Sequence, residues 1–289
     1  MIPFLIKSFA RLPLWFLYLI SDVLFVVVYY GKLYRKKVVL SNLQIAFPEK
    51  TQQEREKIAK AFYRNFCDFI IETLKAFHVS EDEIVRRTRP VGNSLEIAQE
   101  LADKKQPFIV LATHHISWEW VSLSCSAELD VIVSPIYKKL ANEQMEKLIF
   151  DMRSQFGAVP VEMRKSSKEI TKKQEKAIAY ILVGDQTPAG HNRQYWTEFF
   201  GKEVPFFVGA ARLAPQANLP IYFVRITKPK RGYYNYSLEP LHTPPYNTDK
   251  NGNDFSILDE YSKIIEEAVR TSPENWLWTH KRWKRAKKD

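Results

Sequence analysis

The chain has 289 residues, 45% of them hydrophobic, with 18 Phe, 14 Tyr and 7 Trp against only 9 Gly, which suits one large folded domain or two small ones and excludes a disordered or low-complexity chain. Its two cysteines, Cys67 and Cys125, stand far apart with no second Cys or His at ligand spacing, which excludes a disulfide framework and a zinc site and predicts buried, reduced thiols. The formal net charge of +10 favours anionic partners: lipid head groups, an acidic carrier protein or nucleic acid.

Residues 12–31, LPLWFLYLISDVLFVVVYYG, form a run of about 20 mostly apolar residues, the length a helix needs to cross a bilayer. Asp22 is its one charge, aromatic residues lie toward its ends, and Lys7, Arg11 and Arg35 to Lys37 flank it. The expected organisation is therefore a membrane anchor over 1–34 and a catalytic-sized domain over 35–289 on the cytoplasmic side, with a half-inserted helix and a buried core helix as the open alternatives. Thr51 to Glu54 reads as a capping box, after which Ile58, Phe62, Phe66, Phe69 and Ile70 recur at helical spacing. Ser80 caps a short helix, and Asn93 caps another reaching about 105.

From Phe108 onward short apolar runs alternate with polar helical stretches. Strands are predicted at 108–113, 130–134, 179–183, 221–226 and 233–241, with helices at 117–127, 140–156, 166–176, 205–217 and 254–271. This alternation predicts an α/β fold: a mainly parallel central sheet flanked by helices, preceded by the N-terminal membrane helix.

The motif ATHHISWEW (112–120) follows directly on the strand 108–113, which puts His114 just past a strand's carboxyl end, where open α/β sheets place their ligand sites. Glu119, five residues on, can return to accept the imidazole Nδ1–H and leave Nε2 as a base; a structural pair is the open alternative. Ser117 lacks a nucleophile elbow, so such a base suits direct attack by a substrate hydroxyl on an activated acyl group. His115 is expected to pack or line the substrate, since no third metal ligand clusters with it. Arg164 could bind a phosphate or an oxyanion, with an ordinary surface Arg as the alternative; Asp185 and Gln186, in LVGDQ, end another strand and should share the rim with His114, with a turn or cap role for Asp185 as the alternative. The aromatic loop EFFGKEVPF (198–206) suits an acyl groove, a membrane face or core packing, and the ending PENWLWTHKRWKRAKK (273–288) suits a membrane interface better than nucleic acid.

These motifs together resemble the late acyltransferases of lipid A biosynthesis, the lauroyl and myristoyl transferase family of Gram-negative bacteria. The resemblance rests on NLQIAFPEKTQQER (42–55), THHISWE (113–119), GDQ (184–186), FFG (199–201) and PENWLWTHKRWK (273–284), in the family's order and spacing. It implies an enzyme of the bacterial inner membrane that takes acyl chains from acyl carrier protein and esterifies hydroxyls of a lipid A precursor, with no cofactor beyond the carrier's thioester. It also implies His114 as general base, Glu119 as its orienter, and Arg164, Asp185 and Gln186 as polar positions near the substrate. His115, Ile116 and Ser117 replace the family's commoner Phe-Gly-Asn, which bears on substrate detail. GDQTPAG stands where a glycerolipid acyltransferase would carry an F-P-E-G-T-like motif, which argues against lysophosphatidate as acceptor. An aminolipid or lyso-lipid acceptor, or a non-catalytic lipid-binding protein, are the alternatives that residues alone leave open.

Overall fold

The computed structural model describes residues 2–31, 33–188 and 194–286. In chain order its elements are α1 (Ile2–Ala10), α2 (Leu14–Tyr30), α3 (Lys36–Ala46), α4 (Gln52–Lys75), α5 (Glu81–Arg87), β1 (Thr88–Pro90), α6 (Ser94–Asp103), β2 (Phe108–Ala112), α7 (Trp118–Glu128) and β3 (Ile132–Tyr137). There follow α8 (Glu143–Arg153), β4 (Val161–Glu162), α9 (Ser166–Thr171), β5 (Ile178–Val183), β6 (Gln194–Phe199), β7 (Lys202–Phe207), α10 (Gly209–Ala217), β8 (Ile221–Lys230), β9 (Tyr233–His242) and α11 (Ser256–Thr271).

The main sheet runs β1-β9-β8-β2-β5-β3-β4, and all its neighbours are parallel except the antiparallel β8–β9 pair. The expected α/β architecture is thus present. β2 is buried along its whole length, as a central strand covered on both faces must be. Its alternating residues divide between two cores: Phe108, Val110 and Ala112 face α7, while Ile109 and Leu111 join the core beneath α10 and α11.

The expected caps at Thr51 and Ser80 are made. Thr51 and Glu54 form a reciprocal capping box, and Ser80 accepts from the Glu83 N–H. Asn93 precedes α6 but its side chain makes no cap bond; Ser94 instead donates its hydroxyl to Val91 O at 2.5 Å. Both cysteines are buried and free. The helix expected at 205–217 begins only at Gly209, because Lys202–Phe207 pairs with Gln194–Phe199 in a hairpin whose period-2 pattern was hidden by a continuous apolar run.

Among the described residues no single helix is long and apolar enough to cross a membrane. α1 and α2 reach that length only together, and they bend by 112° between them. α2 lies along α4, burying Leu14, Leu17, Ser21, Phe25 and Tyr29 at helical spacing. Polar contacts fix it there: Ser21 Oγ donates to Asp68 at 2.7 Å and Tyr18 OH to Glu72 at 2.8 Å, while Arg231 bridges Asp22 and Asp68. Its other face leaves Trp15, Leu19, Val23, Val26 and Tyr30 exposed.

Candidate active site

Register explains the site. β2 and β5 are parallel neighbours with Ala112 opposite Val183, and each strand is followed by a two-residue overhang, Thr113-His114 and Gly184-Asp185. Strands lie about 4.8 Å apart, so the two overhangs bring His114 and Asp185 together across 71 residues of chain. His114 Nδ1 meets Asp185 Oδ1 at 2.5 Å, and the His114 backbone N–H donates to Asp185 Oδ2 at 2.9 Å. Trp276 Nε1 donates to the same Oδ2 at 2.8 Å. The carboxylate is 1% exposed. Burial pushes its pKa up, but the His114 ring, the His114 N–H and Trp276 outweigh burial and hold it down at about 2.

The hydrogen bond expected between Glu119 and His114 Nδ1 is not made. Asp185 occupies that position, while the Glu119 carboxylate is gripped by Arg153, whose Nε donates to Oε2 at 3.0 Å and whose Nη2 donates to Oε1. The physical reason lies in α7. It begins at Trp118, so Glu119 is already in its first turn and points across to α8 rather than back to the loop.

Three further groups fix the β2–α7 loop. Ser117, in the left-handed region at φ 66°, donates its hydroxyl to the buried Glu72 carboxylate, which also accepts from Tyr234 OH at 2.8 Å. Trp120 Nε1 donates to the Glu72 carbonyl at 2.8 Å. On the other side Tyr261 OH donates to Ala112 O at 2.5 Å and accepts from the Gly184 N–H at 3.1 Å. A Cβ at Gly184 would stand 3.2 Å from the Tyr261 ring, so glycine lets β5 and α11 close on each other here.

His114 opens onto a cavity of about 580 Å³. Its floor is one face of the sheet, where Phe108, Val110 and Ala112 of β2 stand beside Ala179, Ile181 and Val183 of β5 in period-2 layers. Its roof is α7, with Trp118, Val121, Ser122 and Cys125. From His114 to Phe108 the cavity follows β2 for about 20 Å at roughly 3.3 Å per residue. Glu119, Arg153 and Gln186 lie in its wall. Asp185 stands behind His114, and Nε2 of His114 meets no partner among the described residues.

Other expected positions fall differently. Arg164 is exposed beside Met163 at the cavity's lip and takes no part in the wall, because β4 ends at Glu162 and turns the chain outward. His115 packs: it is 3% exposed, bonded to Thr113, and burial lowers its pKa to about 4. Phe199 and Phe200 of the aromatic loop are core residues. The C-terminal segment is not a membrane interface over its described part. Trp276, Trp278 and Trp283 are 2%, 0% and 7% exposed, and burying such a ring stabilises by about 1.5–3 kcal/mol. The segment straps the site from behind: Leu277 N–H donates to His114 O, Ile116 N–H to Asn275 O, and Thr187 N–H to His280 Nε2. Lys287 and Lys288 of the expected basic end, and Ala189 and Gly190 of GDQTPAG, lie outside the described residues. Glu72, Arg153, Tyr261 and Trp276 were missed as site residues; a Trp-rich motif placed outside any apolar period was the one available signal.

The sequence matches the family described as bacterial lipid A biosynthesis acyltransferase over residues 3–285. It is similar to the lipid A biosynthesis lauroyltransferase of Escherichia coli (strain K12), 22% identical over 252 residues that cover 86% of this chain and 79% of the relative. It is likewise similar to the lipid A biosynthesis palmitoleoyltransferase of the same organism and to a lipid A biosynthesis acyltransferase of Shigella flexneri, each 26% identical over 260 residues with the same coverage. A match that runs nearly end to end, and includes both overhangs that build the site, shows that the chain is an acyltransferase belonging to the bacterial lipid A biosynthesis acyltransferase family.

Proposed function

We propose that the chain transfers a fatty acyl group from an acyl carrier protein thioester to a hydroxyl of a lipid A precursor at the membrane surface, with His114 as general base. The observation that carries this reading is an apolar cavity about 20 Å deep that ends at the His114 imidazole. Such a cavity takes an acyl chain and leaves its thioester carbonyl at the mouth. Asp185 accepts from Nδ1–H, which leaves Nε2 unprotonated and facing the reacting groups.

The steps follow from that geometry. Nε2 takes the proton of the acceptor hydroxyl as its oxygen attacks the thioester carbon, and the Asp185 carboxylate stabilises the imidazolium that forms. The tetrahedral adduct collapses with loss of the C–S bond, and Nε2 returns the proton to the departing thiolate. Arg153, held by Glu119 in the cavity wall, supplies positive charge for the developing oxyanion. Glu119 thereby acts through Arg153, and Asp185 takes the orienting role that the family resemblance assigns to Glu119. Gln186 lines the mouth and contacts the substrate there. The exposed apolar face of α2, with Phe4 and Leu5 of α1 beside it, seats the chain in the bilayer from which the acceptor lipid arrives.

The test is to incubate the detergent-solubilised protein and His114→Ala with acyl carrier proteins of several chain lengths and a tetra-acylated lipid A precursor, then to weigh the lipids by mass spectrometry. A gain of one acyl unit with wild type, absent with the variant, is expected. A gain that persists in His114→Ala would refute the base assignment, and a gain seen only with other lipid acceptors would refute the lipid A assignment.

A further inference from the structure

The register that seats Asp185 beside His114 continues across the next two strands. β5 pairs with β3, Ile181 opposite Pro135, and β3 with β4, Tyr137 opposite Glu162, both in parallel. Ala112, Val183, Tyr137 and Glu162 therefore share one row at the carboxyl edge of the sheet. Two residues beyond that row come His114, Asp185, Lys139 and Arg164. The Met163 N–H still donates to Tyr137 O at 2.8 Å, which keeps the overhangs of β3 and β4 side by side. Three interstrand spacings put the β4 overhang about 14 Å from that of β2.

The two outer overhangs and the start of α9 carry Lys138, Lys139, Arg164, Lys165 and Lys168, with no acidic residue within 138–139 or 163–168. All five cations are exposed, and none makes an ion pair or a side-chain hydrogen bond among the described residues. Glu146, at the same lip, is already committed to Tyr137 OH and the Leu140 N–H, each at 2.8 Å. Leu140 and Met163, 41% and 49% exposed, stand beside the cations and line the cavity itself. Exposed apolar side chains ringed by unpaired charge of one sign make a surface suited to an anionic partner.

We propose that this lip is the docking surface for the acyl donor, an acidic protein that carries its thioester on an extended arm: the acidic face meets the five cations while the arm crosses the edge of the sheet, about 14 Å, to His114. The inference rests on the function proposed above and assigns its donor a place. A small phosphate-bearing donor would leave most of the cations unmet, since they spread over two overhangs and the start of α9. A bilayer fits this surface worse, because α9 buries its one large apolar side chain, Ile170, and has no other to insert between lipids.

The test reverses three of the charges in Lys139→Glu/Lys165→Glu/Lys168→Glu and measures acyl transfer with three donors: acyl carrier protein, acyl-coenzyme A and uncharged acyl-pantetheine. For the carrier protein KM should rise about tenfold or more with kcat within about twofold, while KM for acyl-pantetheine stays put. An unchanged KM for the carrier, or an equal rise for acyl-pantetheine, overturns the proposal. A rise for acyl-coenzyme A as large as that for the carrier would mark a small phosphate site and overturn it too. Release of the variant, but not of wild type, from vesicles containing phosphatidylglycerol would turn the surface toward lipid and likewise overturn it. Salt supplies a measurement that needs no variant: wild-type KM for the carrier should climb with ionic strength and that for acyl-pantetheine should not, and equal responses contradict the docking. Wild-type protein that transfers no acyl group would refute the proposed function; the anisotropy of dye-labelled acyl carrier protein would still show whether the three reversals abolish binding.

Discussion

Asp185→Asn separates the two possible orienters of His114. Asn offers one carbonyl oxygen and one NH2 group where Asp offers two acceptors. Two N–H donors, the His114 backbone at 2.9 Å and Trp276 Nε1 at 2.8 Å, converge on Oδ2, and the ring nitrogen alone faces Oδ1. The amide oxygen therefore takes the Oδ2 position, since the flipped amide would leave two buried donors unmet at about 1–3 kcal/mol each. The NH2 then faces Nδ1 and donates to it. That fixes the ring proton on Nε2, the atom that must accept one. A wrong tautomer of this kind costs about 10⁴ in kcat in a serine-protease triad, and a loss of about 10³–10⁴ is expected here with KM within about twofold. Initial rates by mass spectrometry give kcat, and nitrogen-15 shifts of the His114 ring report the tautomer directly. A variant that keeps kcat within about tenfold of wild type, or whose ring still carries its proton on Nδ1, would show that Asp185 does not orient the base.

Glu119→Gln strips Arg153 of its carboxylate while leaving the guanidinium largely enclosed, with side-chain exposures of 9% and 23% for the pair. Stability should fall by about 3 kcal/mol with loss of activity, and Glu119→Gln/Arg153→Met should recover part of the melting temperature but not the activity. Ala179→Leu fills the deep layer of the cavity opposite Phe108, and competition between carriers should shift the preferred chain toward shorter acyl groups, each excluded methylene being worth about 1–3 kcal/mol; an unchanged profile would place the chain elsewhere. Burial holds His115 and His280 down to about 4, from an ordinary 6.5. Below 6.5 the unfolded chain therefore binds protons that the folded chain refuses, so stability should fall as pH drops from 6.5 toward 4; melting temperatures that stay flat across that window would contradict the buried, neutral imidazoles.

How far the sequence reveals this site depends on whether a signal is local. The runs 108–113 and 179–183 are apolar because β2 and β5 are central strands, so both were legible, as was the position of His114 and Asp185 just beyond them. The register that seats one beside the other was not legible, because parallel pairing is set by packing of α7, α10 and α11 on the two faces and leaves no mark in either strand. Glu119 was the nearest carboxylate in sequence, and proximity in sequence ranks it above a partner 71 residues away. The Trp-rich ending misled for a related reason. Trp between Lys and Arg has the same pattern whether its rings meet lipid or a protein core, and only the tertiary contacts of Trp276 and Trp278 decide between them.

The strap also ties the site to the apolar N-terminal helices. Asn42 of α3 donates its amide to both Trp278 O and His280 O at 2.7 Å, and Arg35 donates to Thr279 O at 3.1 Å, so the segment that holds Asp185 is itself held by the helix following α2. On the other side Glu72 of α4 accepts from Tyr18 of α2 and from Ser117 of the His114 loop. Removing α2 would therefore uncover more than an apolar face: it would take one donor from Glu72 and another from Asp68, two residues only 0% and 3% exposed. Buried acceptors that lose donors recover them by rearrangement, and for Glu72 the remaining partners are Ser117 and Tyr234. The geometry of the β2–α7 loop, and with it the position of His114, thus depends on how α2 is seated.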